Sequence, residues 1–225
     1  MLASSTVENY LKTIYLGSSA AQAPDGRLMP MGQLAAAVGV TPGTATTMVK
    51  TLAESGLVEY EPYSGVRLTG AGEKLAALVV RRHRLVELFL VQVMGMSWAE
   101  VHEDAELLEH VVSDRLIDRI DEMLGRPTQD PHGDPIPNPE GSVAPRQLDT
   151  LMTCPTHTPL RVTRVADQDP EFLRFIEHNN LKPGQPVEVE ARDPAADAVQ
   201  LRGADRRITI GTRAASKLLV EVAKR

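Results

Sequence analysis

The sequence of 225 residues is poor in several features, and each shortage excludes a class of protein. The chain has one cysteine, Cys154, which excludes an internal disulfide and a cysteine-rich zinc site and is expected to be a bystander. Aromatic residues make up 4% of the chain, which disfavours a platform for stacking single-stranded bases. No apolar run reaches the length of about 18 residues that a membrane span requires. Glu8 and Lys12 interrupt the N-terminal apolar pattern, so we expect no signal peptide and a cytoplasmic location.

What the sequence does have is an uneven distribution of charge. The net charge is −6, from 24 basic and 30 acidic side chains. Residues 85–140 hold 3 basic and 13 acidic side chains, whereas the segments on both sides carry a small positive excess. Histidines accompany the acidic segment, and His83 stands just ahead of it. Carboxylates concentrated with imidazoles suggest a cation site, with a solvated acidic helix face as the alternative.

The N-terminal part has the pattern of a helix-turn-helix. Apolar residues at helical spacing predict a first helix over residues 6–17 and a short helix over residues 33–38. A turn follows at Gly39, because glycine adopts the positive φ that ends a helix. Thr41 and Pro42 then predict the N-cap and first position of a second helix, which continues to Ser55.

A β-hairpin wing and the start of the second helix are the expected DNA contacts. Alternating residues 57–60 and 66–69 flank a Pro-Tyr-Ser-Gly turn and predict the hairpin. Hydroxyl and cationic side chains at a helix start can enter a major groove and contact bases and phosphates. A winged helix used only for protein contact is the alternative. The candidate DNA-binding residues are Thr41, Pro42, Thr44, Thr46, Thr47, Lys50, Tyr63 and Arg67.

Two helices in the middle segment carry groups that could bind a metal. The first, from Gly72 to Gly95, places His83 and Glu87 one turn apart on one face. The second is expected to run unbroken from Ser97 to Gly125. Imidazole and carboxylate together suit borderline divalent metals such as Mn, Fe, Co, Ni or Zn, and structural histidines are the alternative. On that unbroken helix an arc of about 100° would contain His102, Glu106, Glu109 and His110.

The C-terminal part has a different pattern. Six prolines and three glycines between Gly125 and Pro145 predict an extended linker. Short strands and turns from Pro159 onward predict a small SH3-like barrel. His132, His157 and His178 have no partner at ligand spacing and are interpreted as structural or surface residues. The expected domains are 1–73 (winged helix-turn-helix), 74–140 (helical), 141–158 (linker) and 159–225 (SH3-like).

The order and spacing of these motifs resemble the diphtheria-toxin-repressor-like family of iron- and manganese-dependent transcriptional regulators. The resemblance spans about residues 6–140 and continues more weakly to the C-terminus. It implies a mainly α fold with small β parts: a winged helix-turn-helix, a helical metal-binding dimerisation domain and a C-terminal SH3-like barrel of FeoA type. The motifs are YLKTIYL, the helix-turn-helix, a Tyr-x-x-Tyr-x-Gly wing, H-x(3)-E, H-x(3)-E-x-x-E-H and PHGDPIP.

The resemblance also implies two neighbouring metal sites in each chain. The ancillary site would use His83, Glu87 and His102 with polar groups from the third domain. Gln168 and Glu171 match the spacing of those groups best, Asp169 is the alternative, and a helix-capping acidic turn is the other interpretation. The primary site would use Glu106, Glu109 and His110 together with Asn9 of the first helix.

Three positions of the primary site bear on the choice of metal. Glu106 stands where iron-responsive members have cysteine and manganese-responsive members have glutamate, and a harder oxygen ligand is consistent with Mn²⁺. Asn9 stands where methionine or aspartate is usual and offers a weaker amide oxygen. Lys12 stands where some manganese regulators have glutamate, and Glu8 is expected to point about 100° away from Asn9.

The resulting expectation is a metal-activated repressor that binds an inverted-repeat operator as a homodimer. Mn²⁺ is favoured, Fe²⁺ is the alternative, and Co²⁺, Ni²⁺ or Zn²⁺ could bind in vitro, with about two ions per chain. A regulator of an organic ligand is a competing function; no small organic substrate or membrane partner is expected. The sequence has no H-E-x-x-H, G-x-S-x-G, P-loop or Rossmann motif, which disfavours an enzyme. Six apolar residues of the middle segment are expected in the core, and some of them also in the dimer seam. They are Trp98, Val101, Leu108, Val111, Leu116 and Ile120.

Overall fold

The computed structural model describes residues 4–20, 28–144, 146–203 and 206–223, which form two compact units. No helix among these residues is long and apolar enough to cross a membrane. The first unit consists of Met1–His83, Leu108–Ser113 and Pro137–Val143, and the second of Arg84–Leu107, Asp114–Ile136 and Ala144–Arg225.

The helix-turn-helix forms as predicted. Gly39 ends the second helix in the left-handed conformation, with φ of 73°, and its N–H donates to carbonyls of the preceding turn. The Thr41 hydroxyl accepts the N–H of Thr44 at 3.2 Å and caps the third helix, with Pro42 at its start. The three helices are α1 (Ser5–Ala20), α2 (Met31–Val38) and α3 (Pro42–Glu54).

The predicted wing is an antiparallel hairpin of strands β1 (Val58–Glu61) and β2 (Gly65–Leu68). Its register pairs Val58 with Leu68, one residue away from the predicted strand bounds. Tyr63 lies at the tip with φ of 67° and a fully exposed side chain. The wing and the three helices enclose an apolar core that includes Tyr10, Leu11, Ile14, Leu34, Val49, Leu52 and Val66.

Three further helices are α4 (Gly70–Gln92), α5 (Val101–Leu108) and α6 (Asp114–Met123). The prediction of one unbroken helix from Ser97 to Gly125 is therefore wrong, and so is the arc derived from it. Helix α5 ends with the N–H groups of Val111 and Val112 both donating to the Leu108 carbonyl. Adjacent β-branched residues lose side-chain freedom in a helix, and the following Ser-Asp pair favours a new helix start.

The C-terminal part is a six-stranded antiparallel sheet, which confirms the predicted small β domain. The strand order is β3-β8-β4-β5-β6-β7, and the core against this sheet includes Trp98 and Ala99 of the helical region. The strands are β3 (Asp149–Thr150), β4 (Leu160–Val165), β5 (Pro186–Asp193), β6 (Ala198–Arg202), β7 (Arg207–Gly211) and β8 (Leu218–Val222). The helices are α7 (Pro170–His178) and α8 (Thr212–Ala215).

The segment predicted as an extended linker is instead a folded, largely buried loop over residues 130–136. The Asp130 side chain accepts the N–H groups of His132 and Asp134, at 2.8 and 2.9 Å, which supplies the hydrogen bonds of the turn. The His132 carbonyl accepts the N–H of Val165 on β4. Gly133, with φ of +85°, packs so closely that a Cβ would lie 2.0 Å from the Thr163 carbonyl oxygen.

Prolines in this loop therefore fix a compact turn rather than extend the chain, because each one restricts φ where side-chain hydrogen bonds already define the path. The loop is a fixed part of the second unit and holds His132 against β4. The predicted domain bounds after residues 73, 140 and 158 stay predictions.

Candidate metal centres and DNA-binding helix

A buried ionic cluster in the first unit centres on Glu109, which is completely buried. Its Oε2 atom lies 2.7 Å from the ammonium of Lys12 and 2.6 Å from Nδ1 of His83. Because an ionised carboxylate carries no proton, both partners donate to it. Burial opposes ionisation of Glu109, but the His83 hydrogen bond and the Lys12 charge outweigh it and hold its pKa below the ordinary value.

Glu8 belongs to the same cluster, so the expectation that it points away is wrong. Its side chain is 2% exposed; Oε1 accepts from Nη2 of Arg82 at 2.6 Å, and Oε2 lies 2.7 Å from Nδ1 of His110. Residues 8 and 12 are one turn apart and share the inward face of α1. The prediction assumed that Asn9 marks the centre of the inward face of α1, whereas Glu8 and Lys12 occupy that face.

Three buried atoms of the first unit have the character of metal ligands. Oδ1 of Asn9, Oε1 of Glu109 and Nε2 of His110 are buried and make no hydrogen bond within the described residues. The latter two atoms are 3.4 Å apart. Leaving a buried polar atom unsatisfied costs about 1–3 kcal/mol, so a divalent cation that accepts these lone pairs would remove a penalty. Glu109 and His110 therefore fit an ion, and Asn9 stays a predicted ligand.

The second unit contains a candidate metal centre that the sequence analysis missed. Ligand atoms of Glu87, Asp130 and His132 lie within 4.8 Å of one another, and all three residues are buried. The interpretation that His132 has no partner is wrong, because folding of residues 130–136 brings it to Glu87 on α4. The available signal was the acid-rich D-P-H-G-D sequence, which places carboxylates two residues on either side of the imidazole.

The hydrogen bonds of His132 leave one ring nitrogen directed at the two carboxylates. Nε2 lies 2.8 Å from the Trp98 carbonyl, which can only accept, so Nε2 carries a proton, and in the neutral imidazole Nδ1 carries the lone pair. Nδ1 is 3.8 Å from Oε2 of Glu87 and is buried without a hydrogen bond in the part of the chain that the structure describes. An imidazole fixed by a carbonyl on its far nitrogen is typical of metal-binding histidines.

The carboxylate of Asp130 experiences a strongly negative environment. Burial, followed by the charges of Asp134 and Glu87, raises its pKa to about 7, although His132 and Arg84 act in the opposite direction. Its Oδ2 atom is a further buried oxygen without a hydrogen bond among the described residues. The charge and the open lone pairs both fit a divalent cation held by two carboxylates and one imidazole.

Other predicted ligands of the second unit lie at its surface. His102 Nδ1 is 3.2 Å from Oε1 of Glu87, and its Nε2 is 3.6 Å from Glu106. The His102 and Glu106 side chains are 39% and 37% exposed. Within this unit His102 therefore contacts Glu87, as the predicted ancillary site requires. The roles of His102, Glu106 and His83 as metal ligands stay predictions.

The acidic turn of the third domain is a helix cap. Asp169 is the N-cap of α7, and its side chain accepts the N–H of Phe172 at 2.8 Å. This confirms the capping interpretation for Asp169. Gln168 is half-buried and Glu171 is exposed, and their roles as ligands stay predictions. Asp167, between them and β4, is paired with Lys217.

The remaining singled-out residues are structural. His157 and His178 are exposed, in agreement with their interpretation as surface residues. Cys154 is buried in the core of the C-terminal sheet, where burial raises the pKa of its thiol and the guanidinium of Arg192 lies 3.2 Å from the sulfur. A buried, protonated thiol is unreactive, which fits the bystander role.

Helix α3 presents a polar face at its N-terminus. Thr47 and Lys50 are exposed, whereas Thr46 is half-buried and donates its hydroxyl to the Pro42 carbonyl at 2.8 Å. Ala45, Val49 and Leu52 hold the opposite face in the core. On the wing, Arg67 pairs with Glu59 at 2.5 Å. Exposed positions at the start of this helix are Thr41, Pro42, Thr44, Thr47 and Lys50.

Comparison with protein families covers nearly the whole chain. Residues 1–66 match the family described as "Iron dependent repressor, N-terminal DNA binding domain", and residues 69–138 match "Iron dependent repressor, metal binding and dimerisation domain". Residues 150–222 match the FeoA domain. The order of the three agrees with the predicted fold class.

Individual relatives include both iron- and manganese-named regulators. The iron-dependent repressor IdeR of Mycobacterium tuberculosis (strain ATCC 25618 / H37Rv) is 30% identical over 198 residues, covering 82% of this chain and 84% of the relative. The transcriptional regulator MntR of Lysinibacillus sphaericus (strain C3-41) is 38% identical over 94 residues, covering 42% of this chain and 67% of the relative.

A solved structure described as a manganese-dependent transcriptional repressor in complex with manganese has a TM-score of 0.85 and 37% identity, covering 96% of this chain and 100% of that chain. The three matched domains, the buried oxygen and nitrogen atoms that could hold a metal, and the capped helix of a winged helix-turn-helix agree with one another. The chain belongs to the diphtheria-toxin-repressor-like family of metal-dependent transcriptional repressors, which are not enzymes.

Proposed function

We propose that this repressor is activated by Mn²⁺ and binds an inverted-repeat operator as a homodimer. The observation that carries the choice of metal is the chemistry of the two buried ligand sets. Asn9, Glu109 and His110 in one unit, and Glu87, Asp130 and His132 in the other, offer oxygen and nitrogen atoms only. Such sets suit Mn²⁺, whereas a thiolate would favour softer ions.

The metal would act by supplying positive charge where the protein has concentrated negative charge. Glu87 and Asp130 lie close together with Asp134, and burial together with their mutual repulsion raises the pKa of Asp130. An ion bound by these side chains stabilises the arrangement that presents them together, because it binds that arrangement better than an open one. Metal then acts as an allosteric ligand of the repressor. Glu106 is retained as a proposed ligand of the primary site, because it stands three residues before Glu109 in the chain.

Dimer formation is supported by apolar side chains that the chain leaves exposed. Trp98, Val101 and Ile120, which were candidates for a dimer seam, are buried within the chain and form core. The others belong to a segment where large apolar side chains face solvent. The exposed fractions are 74% for Leu107, 37% for Leu108, 74% for Val111, 50% for Leu116 and 66% for Met123.

Exposed apolar side chains of this kind favour a second copy of the chain as a partner, because a repressor that reads an inverted repeat needs two related recognition helices. The start of α3 would enter the major groove of each half-site. The wing tip at Tyr63 would contact the adjacent backbone.

An iron-activated repressor is the second candidate, favoured by the 30% identical iron-dependent relative. The two candidates differ in which ion produces the DNA-binding form rather than in fold. Raw affinity does not decide between them, because most nitrogen and oxygen sites bind late first-row ions more tightly than Mn²⁺ or Fe²⁺.

Operator titration distinguishes these candidates. DNA selected from random sequence is titrated with protein in chelator and then with Mn²⁺, Fe²⁺, Co²⁺ or Zn²⁺ under anaerobic conditions. We expect Mn²⁺ to activate binding more fully than Zn²⁺, even where Zn²⁺ binds more tightly, because carboxylate oxygens suit Mn²⁺ and the ion that gives the active geometry decides activation. Equal activation by Fe²⁺ and Mn²⁺ would contradict the manganese assignment, and binding in chelator would contradict metal control altogether.

The second-unit metal centre is tested by Asp130→Asn. This change keeps the shape and the Oδ1 hydrogen bonds but removes the charge that the ion requires, so the variant should bind one fewer Mn²⁺ per chain. Metal bound after equilibrium dialysis gives the count. Asp104→Asn removes an exposed charge on α5 and should leave the count unchanged. An identical count in the Asp130 variant and the wild type would exclude this centre.

The recognition helix is tested by Lys50→Ala and Thr47→Ala. Loss of the exposed Lys50 ammonium should weaken binding to all DNA sequences and reduce the slope of log affinity against log salt by about one. Thr47→Ala should change base preference or cost about 1–3 kcal/mol at the selected operator. Thr46→Ala is a comparison, because Thr46 is half-buried whereas Thr47 is exposed, although both hydroxyls donate to the helix backbone. Wild-type affinity in both Lys50 and Thr47 variants would show that another surface reads the DNA.

A further inference from the structure

Lys12 is a buried lysine at the centre of the first-unit ionic cluster. Its side chain is 8% exposed, and its ammonium lies 2.7 Å from Oε2 of Glu109 and 3.1 Å from Nδ1 of His83. Both neighbours were predicted metal ligands. A cation thus already lies beside an imidazole nitrogen and a carboxylate oxygen, and it is part of the chain.

The two oxygens of Glu109 have different surroundings. Oε2 contacts Lys12 and His83, whereas Oε1 has no hydrogen bond within the described residues and lies 3.4 Å from the similarly unsatisfied Nε2 of His110. A carboxylate can bind one cation on each oxygen. Glu109 therefore has one cation position occupied by the protein and one position with free lone pairs.

We propose that the Lys12 ammonium is a built-in cation that takes the place of a metal ion between His83 and Glu109. Glu109 then bridges the ammonium on Oε2 and a single exchangeable ion on Oε1. This inference rests on the proposed function, because the metal ion at Oε1 of Glu109 is part of that proposal.

Charge balance favours this arrangement. The cluster pairs the carboxylates of Glu8 and Glu109 with the cations of Arg82 and Lys12 in a region where all four residues are at least 94% buried. A divalent ion beside His83 would have to displace the ammonium, which is tethered to α1 and is present at every metal concentration. Removing one partner of a buried ion pair is strongly destabilising, so the displacement is unfavourable.

Two consequences follow for regulation. Lys12 and Glu8 connect α1 of the DNA-binding domain to Glu109 and His110 without any metal, so part of the link that an ion would make is permanent. The ammonium also repels a divalent ion on the other oxygen of Glu109, which raises the Mn²⁺ concentration needed to fill that position. Lys12 thereby sets the metal threshold of the switch.

Lys12→Glu tests whether the Lys12 ammonium takes the place of a metal ion. The change replaces the ammonium with a carboxylate beside His83 and Glu109, which completes a site of two carboxylates and one imidazole. We expect the variant to bind one more Mn²⁺ per chain than the wild type. Adding Glu109→Gln to it should abolish the gain. The free Mn²⁺ signal in electron paramagnetic resonance gives the count without DNA.

Lys12→Met is the second variant, because it keeps the length and the apolar stem and is less disruptive than a charge reversal. Measured in an Asp130→Asn background, so that only the first-unit ion titrates, it should lower the Mn²⁺ concentration at half-occupancy about tenfold or more. Lys74→Glu is the matched control for charge reversal, because Lys74 is exposed in the same unit, and it should behave like the wild type.

The same ion count in Lys12→Glu as in the wild type, or an unchanged half-occupancy in Lys12→Met, would overturn the inference. Both outcomes are independent of operator binding. A wild-type protein whose DNA binding ignores metal would contradict the proposed function, yet the ion counts would still decide the role of Lys12.

Discussion

Negative charge buried in the protein is the constraint on which the rest of the structure depends. Glu8, Glu87, Glu109 and Asp130 are each at least 95% buried, and an ionised carboxylate in such a place requires a cation. In the first unit the protein supplies that cation itself, through Arg82 and Lys12. The two units thus differ in how their buried carboxylates are neutralised.

In the second unit the balance is incomplete. Arg84 approaches Asp130 only to 3.6 Å and also faces Asp134, while Glu87 has imidazole neighbours. Burial, followed by the charges of Asp134 and Glu87, raises the pKa of Asp130, in agreement with this deficit. We propose that a metal ion supplies the missing positive charge. Its binding is reversible, whereas the charge of an arginine would be permanent. A regulator needs reversible binding, and for this reason we propose that the second unit senses the metal.

The sequence predicted those parts of the fold that depend on local signals. The cap at Thr41, the glycine turn at Gly39 and the hairpin around Tyr63 all arise from residues within a few positions of one another. It was wrong where distant contacts decide, as in the fold of residues 130–136, and also where a local signal was overlooked. The helix break after Leu108 followed from a local pattern that was overlooked, namely adjacent valines before a Ser-Asp pair.

The candidate sites show the same limit. The spacing of Glu109 and His110 placed them correctly as neighbours, but it gave no indication that Lys12 would share Glu109, because 97 residues separate the two. His132 was missed because its partner Glu87 lies 45 positions earlier and is reached only through the compact loop over residues 130–136. Contacts between residues so far apart in the sequence cannot be predicted from spacing, because only the folded loop brings the residues together.

Anomalous diffraction from crystals of the Mn²⁺-bound protein, recorded near the manganese absorption edge, tests the central claim most directly. The account predicts one peak within coordination distance of Nδ1 of His132 and a second beside Oε1 of Glu109. It predicts density for the Lys12 ammonium, without an anomalous peak, between His83 and Glu109. A manganese peak at the ammonium position, or none beside His132, would contradict the account.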